Sequence, residues 1–101
     1  MSKTLTTSIR GDSDVARAVA MTVSVAKGVG LDDRRTSAVS TAASEITRNI
    51  VKYAGRGQFT VSALDDEMGR GVRIVARDNG PGISDVDTAL RDHYSTGGTL
   101  G

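Results

Sequence analysis

Three stretches of this sequence gather the residue types that can do chemistry. In "ARDNGPGISD", Ala76 to Asp85, a carboxylate at Asp78 precedes Gly80, the chain's one proline at Pro81, and Gly82. A backbone stripped of side chains lets a flat ligand approach closely, while the carboxylate accepts a hydrogen bond from it. Asn79-Gly80 is also a strong hairpin signal, so a plain turn is an equal reading of the local residues. Against a hairpin, Pro81 to Asp85 reads as a second turn and a helix start rather than as an immediate return strand. In "SEITRNIVKY", Ser44 to Tyr53, about 100° per residue puts Glu45, Asn49 and Lys52 along one flank of an apolar helix stripe. A carboxylate, a carboxamide and an amine on one edge also describe a solvated helix flank. Asn is nevertheless a poor mid-helix residue, and its place beside a buried stripe needs a reason. "YSTGGTLG", Tyr94 to Gly101, holds three glycines, two threonines and a serine. Exposed N–H groups in such a loop can cradle phosphates, although the P-loop pattern is absent and flexible termini share this composition.

The elements that must position these residues follow from hydrophobic periodicity. Thr4 to Ile9 reads as a short first strand. "GDSD" then offers Asp12, Ser13 or Asp14 as helix caps. Val15, Val19, Thr22, Val23 and Ala26 recur at helical spacing, with Gly28 and Gly30 as the stop. A second helix starts near Asp32, with Val39, Ala42, Ala43, Ile46, Ile50 and Tyr53 on one stripe and Gly55 and Gly57 at its end. "QFTVSAL" and "VRIVARD" alternate apolar and polar residues as half-buried strands, joined by the polar connector "DDEMGRG". "VDTALRDHY" reads as a short helix. Helices followed by successive strands predict an α+β, two-layer sandwich, with the helices on one face of a mixed or antiparallel sheet. The face carrying Arg73 and Arg77 should then meet water.

Composition narrows the function classes. With 101 residues the chain is expected to be one domain, 1–101, and its 3% aromatic content makes the core aliphatic. A formal net charge of +1 argues against a dedicated nucleic-acid binder and against a polybasic membrane anchor. The absence of cysteine removes disulfides, thiolate catalysis and zinc-thiolate sites. No apolar run is long enough for a bilayer, and "MSKTLTTSIR" has no signal-peptide core, so a cytoplasmic protein is expected.

Taken together, Glu45-x-x-x-Asn49, Asp78-x-Gly80-x-Gly82 and the Gly/Thr-rich end resemble the N, G1 and G2 boxes of the GHKL, or Bergerat-fold, ATPases. Within that superfamily the three stretches look most like the RsbT-type serine/threonine switch kinases, the anti-sigma regulatory kinases of bacterial stressosomes. The resemblance implies ATP and Mg²⁺ as cofactors. Asn49 matches the residue that holds the metal, Glu45 the proposed general base, and Lys52 a phosphate contact. Asp78 matches the carboxylate that accepts from the adenine amino group. Gly80, Gly82 and Ile83 match the segment lying against the base, and Thr96, Gly98, Thr99 and Gly101 the lid and the opening of the G2 box. It further implies that the sequence stops within the G2 box. The implied activity is phosphorylation of STAS-domain partners of the RsbS or RsbR kind, with a phosphatase of the RsbU type as a further partner. Two other readings stay open: a partner-switching regulator with a vestigial nucleotide site, and a histidine-kinase-like ATP-binding domain. No acceptor-histidine helix precedes the N box, and the sole His93 reads as an ordinary exposed residue.

Overall fold

The computed structural model describes residues 3–78 and 86–91. In chain order these form β1 (Thr4–Ile9), α1 (Asp12–Val29), α2 (Asp33–Tyr53), β2 (Gly57–Asp66), β3 (Gly69–Asp78) and β4 (Val86–Arg91). The strands make one antiparallel sheet in the order β1-β2-β3-β4, and both helices pack on the same face of it. The expected α+β two-layer sandwich is therefore the observed fold, and its sheet is antiparallel throughout.

Period-two alternation explains which strand residues enter the core. Ile9, Phe59, Val61, Val72, Ile74 and Ala76 are buried beneath the helices. Their neighbours Thr6, Gln58, Arg73 and Arg77 are exposed on the helix-free face, where the Thr6 and Thr60 hydroxyls lie 3.0 Å apart. From the helices, Ala18, Val25, Ala26, Val39, Ala43 and Ile50 close the core. Three threonines are buried with them, and each satisfies its own hydroxyl on a nearby backbone carbonyl. Thr22 donates to Ala18 at 2.9 Å, Thr47 to Ala43 at 2.8 Å and Thr36 to Leu31 at 3.4 Å.

The helix ends differ partly from expectation. Asp32 caps α2, its carboxylate accepting from the Arg35 N–H at 2.9 Å, which holds its pKa below the ordinary carboxylate value. At α1 the cap residue is Gly11, with no side-chain cap. Asp14, expected to cap from within "GDSD", instead reaches back to the Arg10 N–H at 2.8 Å. Gly30 ends α1 in the left-handed conformation (φ 99°), while Gly28 stays helical. Tyr53, placed by periodicity on the buried stripe, is 64% exposed at the last residue of α2.

The larger correction concerns residues 86–91, expected to be helical and found as β4. Val86, Thr88 and Leu90 alternate with Asp87, Ala89 and Arg91, and the first set pairs with Ala76, Ile74 and Val72 on the helix side. Ion pairs fix this register from the other face. Arg73 donates to both Asp87 oxygens at 2.9 and 2.7 Å, and Arg91 to Asp66 at 2.6 and 3.2 Å. Gly71 makes room, since a Cβ there would lie 2.7 Å from the Arg91 Cα. A local helical reading loses to these non-local partners. It follows that β3 and β4 are antiparallel neighbours, so a return strand does follow Asn79-Gly80, across residues 79–85.

Candidate nucleotide site

At one end of the sheet, the last turns of α2 stand over the end of β3 and the start of β4. Between them lies a cavity of about 250 Å³ lined by Ile46, Asn49, Ile50, Tyr53, Ala76, Asp78 and Val86. Two of the sequence-predicted residues, Asn49 and Asp78, thus meet in one cavity although 29 positions separate their numbers (78 − 49). The rest of the lining is aliphatic apart from the Tyr53 ring. Apolar walls with a few convergent polar groups are the ordinary make-up of a small-molecule site.

Strand parity explains how Asp78 comes to face inward. Val72, Ile74, Ala76 and Asp78 share the helix-facing side of β3, so the alternation that builds the core ends on a carboxylate. Across the ladder Asp78 pairs with Gly57. A Cβ on Gly57 would collide with the Arg77 carbonyl oxygen and come within 2.9 Å of the Asp78 Cα and 3.1 Å of Ile50 Cγ2. Gly57 therefore lets β2, β3 and α2 converge beneath the cavity. Sequence reasoning took it only as a helix terminator. Its signal was available: residues 57, 59 and 61 alternate as inward positions, and an inward glycine marks a close backbone approach.

On α2 the geometry follows from helical spacing. Ile50 points to the core and Ile46 is half-buried. Asn49 lies further round, exposed at the cavity mouth with its side chain still part of the lining. Glu45 is one turn earlier on the same flank, exposed and outside the lining. Lys52 is also outside it, but its ammonium stands 5.2 Å from the centre of the Tyr53 ring, a cation–π contact with a cavity wall. Ile46 and Ile50, read from sequence as core stripe, double as wall. Val86 was missed because β4 was missed. Gly80, Gly82, Ile83, Thr96, Gly98, Thr99, Gly101 and His93 lie outside the described residues.

Charge also secures the β4 wall. Hydrogen bonding from Arg73 holds the Asp87 carboxyl below the usual carboxylate range, and Arg91 does the same to Asp66; Asp87 in turn raises Arg73.

The cavity's chemistry suits a flat, nitrogen-rich ring. Apolar walls can hold both faces, and the Asp78 carboxylate can accept from a ligand N–H. A metal fits the donor set in one way. Among the described residues, no three or more His, Cys, Asp or Glu side chains gather as a metal cage. A single carboxamide oxygen from Asn49, completed by phosphate oxygens and water, matches the sparse protein ligation typical of Mg²⁺. No helix among the described residues is long and apolar enough to cross a membrane.

The family model described as "Histidine kinase-like ATPase domain" matches residues 11–99, which include Asn49 and Asp78. The chain is similar to the serine/threonine-protein kinase RsbT of Bacillus subtilis (strain 168), at 39% identity over 88 residues. That alignment covers 87% of this chain and 66% of the relative, just under two thirds of its length. No solved structure matches the chain. With the family model spanning most of its length and the two polar residues meeting in one cavity, the chain belongs to the histidine kinase-like ATPase domain family.

Proposed function

We propose that this chain is the nucleotide-binding unit of a serine/threonine protein kinase that uses Mg·ATP. The observation that carries the reading is the convergence of Asn49 and Asp78 on one apolar cavity. In this reading Asp78 accepts a hydrogen bond from the adenine amino group, while Ile46, Ile50, Ala76 and Val86 exclude water from the ring. Asn49, at the mouth, holds the metal through its carboxamide oxygen, and Lys52 neutralises phosphate charge from its place over Tyr53. Bound Mg²⁺ would supply charge neutralisation on the phosphates. Glu45, exposed one turn from Asn49, is where a protein hydroxyl can arrive from solvent. It takes the proton as that oxygen bonds to the γ-phosphorus and the bond to the ADP leaving oxygen breaks. Phosphoryl transfer asks mainly for positioning and charge stabilisation, and this small set of groups meets that need.

The resemblance of the three motif stretches to RsbT-type switch kinases extends the proposal to the reaction's partners. The substrates are hydroxyl side chains of STAS-domain proteins of the RsbS or RsbR kind. A phosphatase of the RsbU type is the partner engaged in the alternate state, and the cytoplasm is the compartment.

The test pairs nucleotide titration, with and without Mg²⁺, with a radiolabelled phosphate-transfer time course onto a STAS protein. Glu45→Gln keeps shape and should leave ATP affinity nearly intact while slowing transfer roughly 10²–10⁴-fold, as general-base loss does. Asn49→Ala should lower Mg²⁺-dependent affinity and transfer together. Wild-type transfer by Glu45→Gln would remove the base assignment. Nucleotide binding without any transfer by the wild-type chain would favour the non-catalytic switch.

A further inference from the structure

We infer that the edge of β1, which no other strand among the described residues pairs, is a docking strand for an extended, acid-flanked segment of a partner protein. The inference is independent of the nucleotide reading. The two edges of the sheet are built differently. β4 carries Asp87 and Arg91, both locked in ion pairs to neighbouring strands, and charge along an edge discourages strand addition. β1, "TLTTSI", has no charge, proline or glycine between Thr4 and Ile9. Within these six residues its register with β2 is unbroken, so it has no charge, proline or bulge to protect its edge.

The ladder shows which backbone groups are turned outward. The Ala63 N–H donates to the Lys3 carbonyl at 2.9 Å, so Lys3, Leu5, Thr7 and Ile9 spend their backbone groups on β2. Thr4, Thr6 and Ser8 turn theirs to the open side. The next outward N–H, that of Arg10, is already taken by Asp14 at 2.8 Å, which ends the available edge. What remains suits a short added strand.

Two further features select the occupant. Lys3 and Arg10 stand at opposite ends of the edge, both exposed, so a strand laid there meets positive charge at each end. A second copy of β1, paired antiparallel through its outward residues (Thr4 with Ser8, Thr6 with Thr6), would bring basic rather than acidic residues to the ends of the edge, which disfavours self-association. An acidic residue at each end of the incoming segment is complementary. Above the edge, α1 lies close: Lys3 donates to the Ser24 hydroxyl at 2.9 Å and Asp14 reaches Arg10, and Met21 shares that flank half-buried. It offers apolar contact to the incoming strand's helix-side residues. Main-chain pairing would then give affinity, and the flanking charges specificity.

The probe is an eight-residue peptide with a Thr-Val-Thr-Val centre and an Asp-Glu pair at each end, compared with the same centre flanked by lysines. Binding is read by titration and by amide hydrogen exchange on the full chain. The expected result is protection of the Thr4, Thr6 and Ser8 amides by the acidic peptide, and binding at least tenfold tighter than the lysine version. Lys3→Glu with Arg10→Glu should reverse that preference while leaving the fold's melting temperature close to wild type. Thr6→Pro, which removes an outward N–H and no backbone bond to β2, at the loss of the Thr6–Thr60 hydroxyl contact, should abolish protection. Equal binding of both peptides, no protection of those amides, or a concentration-dependent dimer that protects them without peptide would overturn the proposal.

Discussion

Replacing Gly57 by Ala tests whether close approach at the sheet's end builds the cavity. The new Cβ would lie 2.9 Å from the Asp78 Cα, and ordinary contact begins at 3.4 Å, so β2 and β3 must part by at least about 0.5 Å (3.4 − 2.9). The Arg77 carbonyl is nearer still, and it is backbone that cannot swing aside. Ile50 Cγ2, at 3.1 Å, blocks relief towards α2. Overpacking of this kind costs about 1–3 kcal/mol. Each kcal/mol lowers the melting temperature of a domain this size by about 4–8 °C. Because Asp78 moves with the strand, a hydrogen bond to it lengthens by a similar distance. Losing that bond, worth about 0.5–1.5 kcal/mol, weakens a ligand roughly 2- to 12-fold. The assay is thermal unfolding followed by calorimetric titration with ADP. A variant that melts and binds like wild type would refute the idea that Gly57 shapes the site.

Gly28→Ala supplies the contrast, since a Cβ there meets nothing within 4 Å and the residue is helical, so it should stabilise by about 0.5–1 kcal/mol in denaturant unfolding. Acid should act first on β4. Asp87 and Asp66 are held below their ordinary value of 3.8 in the fold by Arg73 and Arg91. Their contribution is therefore complete above the unfolded carboxylate range and is lost as pH falls below 3.8 through the folded values. Amide exchange should show β4 opening there before β1 and β2, and uniform loss of all strands would argue against these ion pairs as the β4 clamp.

The fold was legible wherever local pattern and tertiary fate agreed. The alternations around Phe59 and Ile74 and the stripe from Val39 to Ile50 are simultaneously propensity and burial, so strands and helices emerged with nearly their observed limits. β4 was not legible. Its alternation spans Val86 to Arg91 only, and what decides it is pairing with Val72, Ile74 and Ala76 together with Arg73 and Arg91 reaching across strands. Tyr53 escaped because a periodic stripe marks a helix face and not how deeply each residue on it is covered. In the site, Asn49 was conspicuous through its cost in a helix, and Asp78 through its glycine-rich sequel. Gly57 carries no such flag until its strand parity is known. Glu45 and Lys52 occupy the expected flank, but only Asn49 of the three enters the cavity lining.

The most direct measurement is calorimetric titration of Mg·ADP into the wild-type chain and into Asp78→Asn. The substitution is nearly isosteric, yet it removes the charge and presents a donor to the adenine amino donor. If adenine lies in the cavity between α2 and the ends of β3 and β4, affinity should fall about 5- to 150-fold, corresponding to about 1–3 kcal/mol for an unpaired polar contact. Equal affinity in the two proteins would place Asp78 among ordinary turn residues and contradict an adenine site in this cavity.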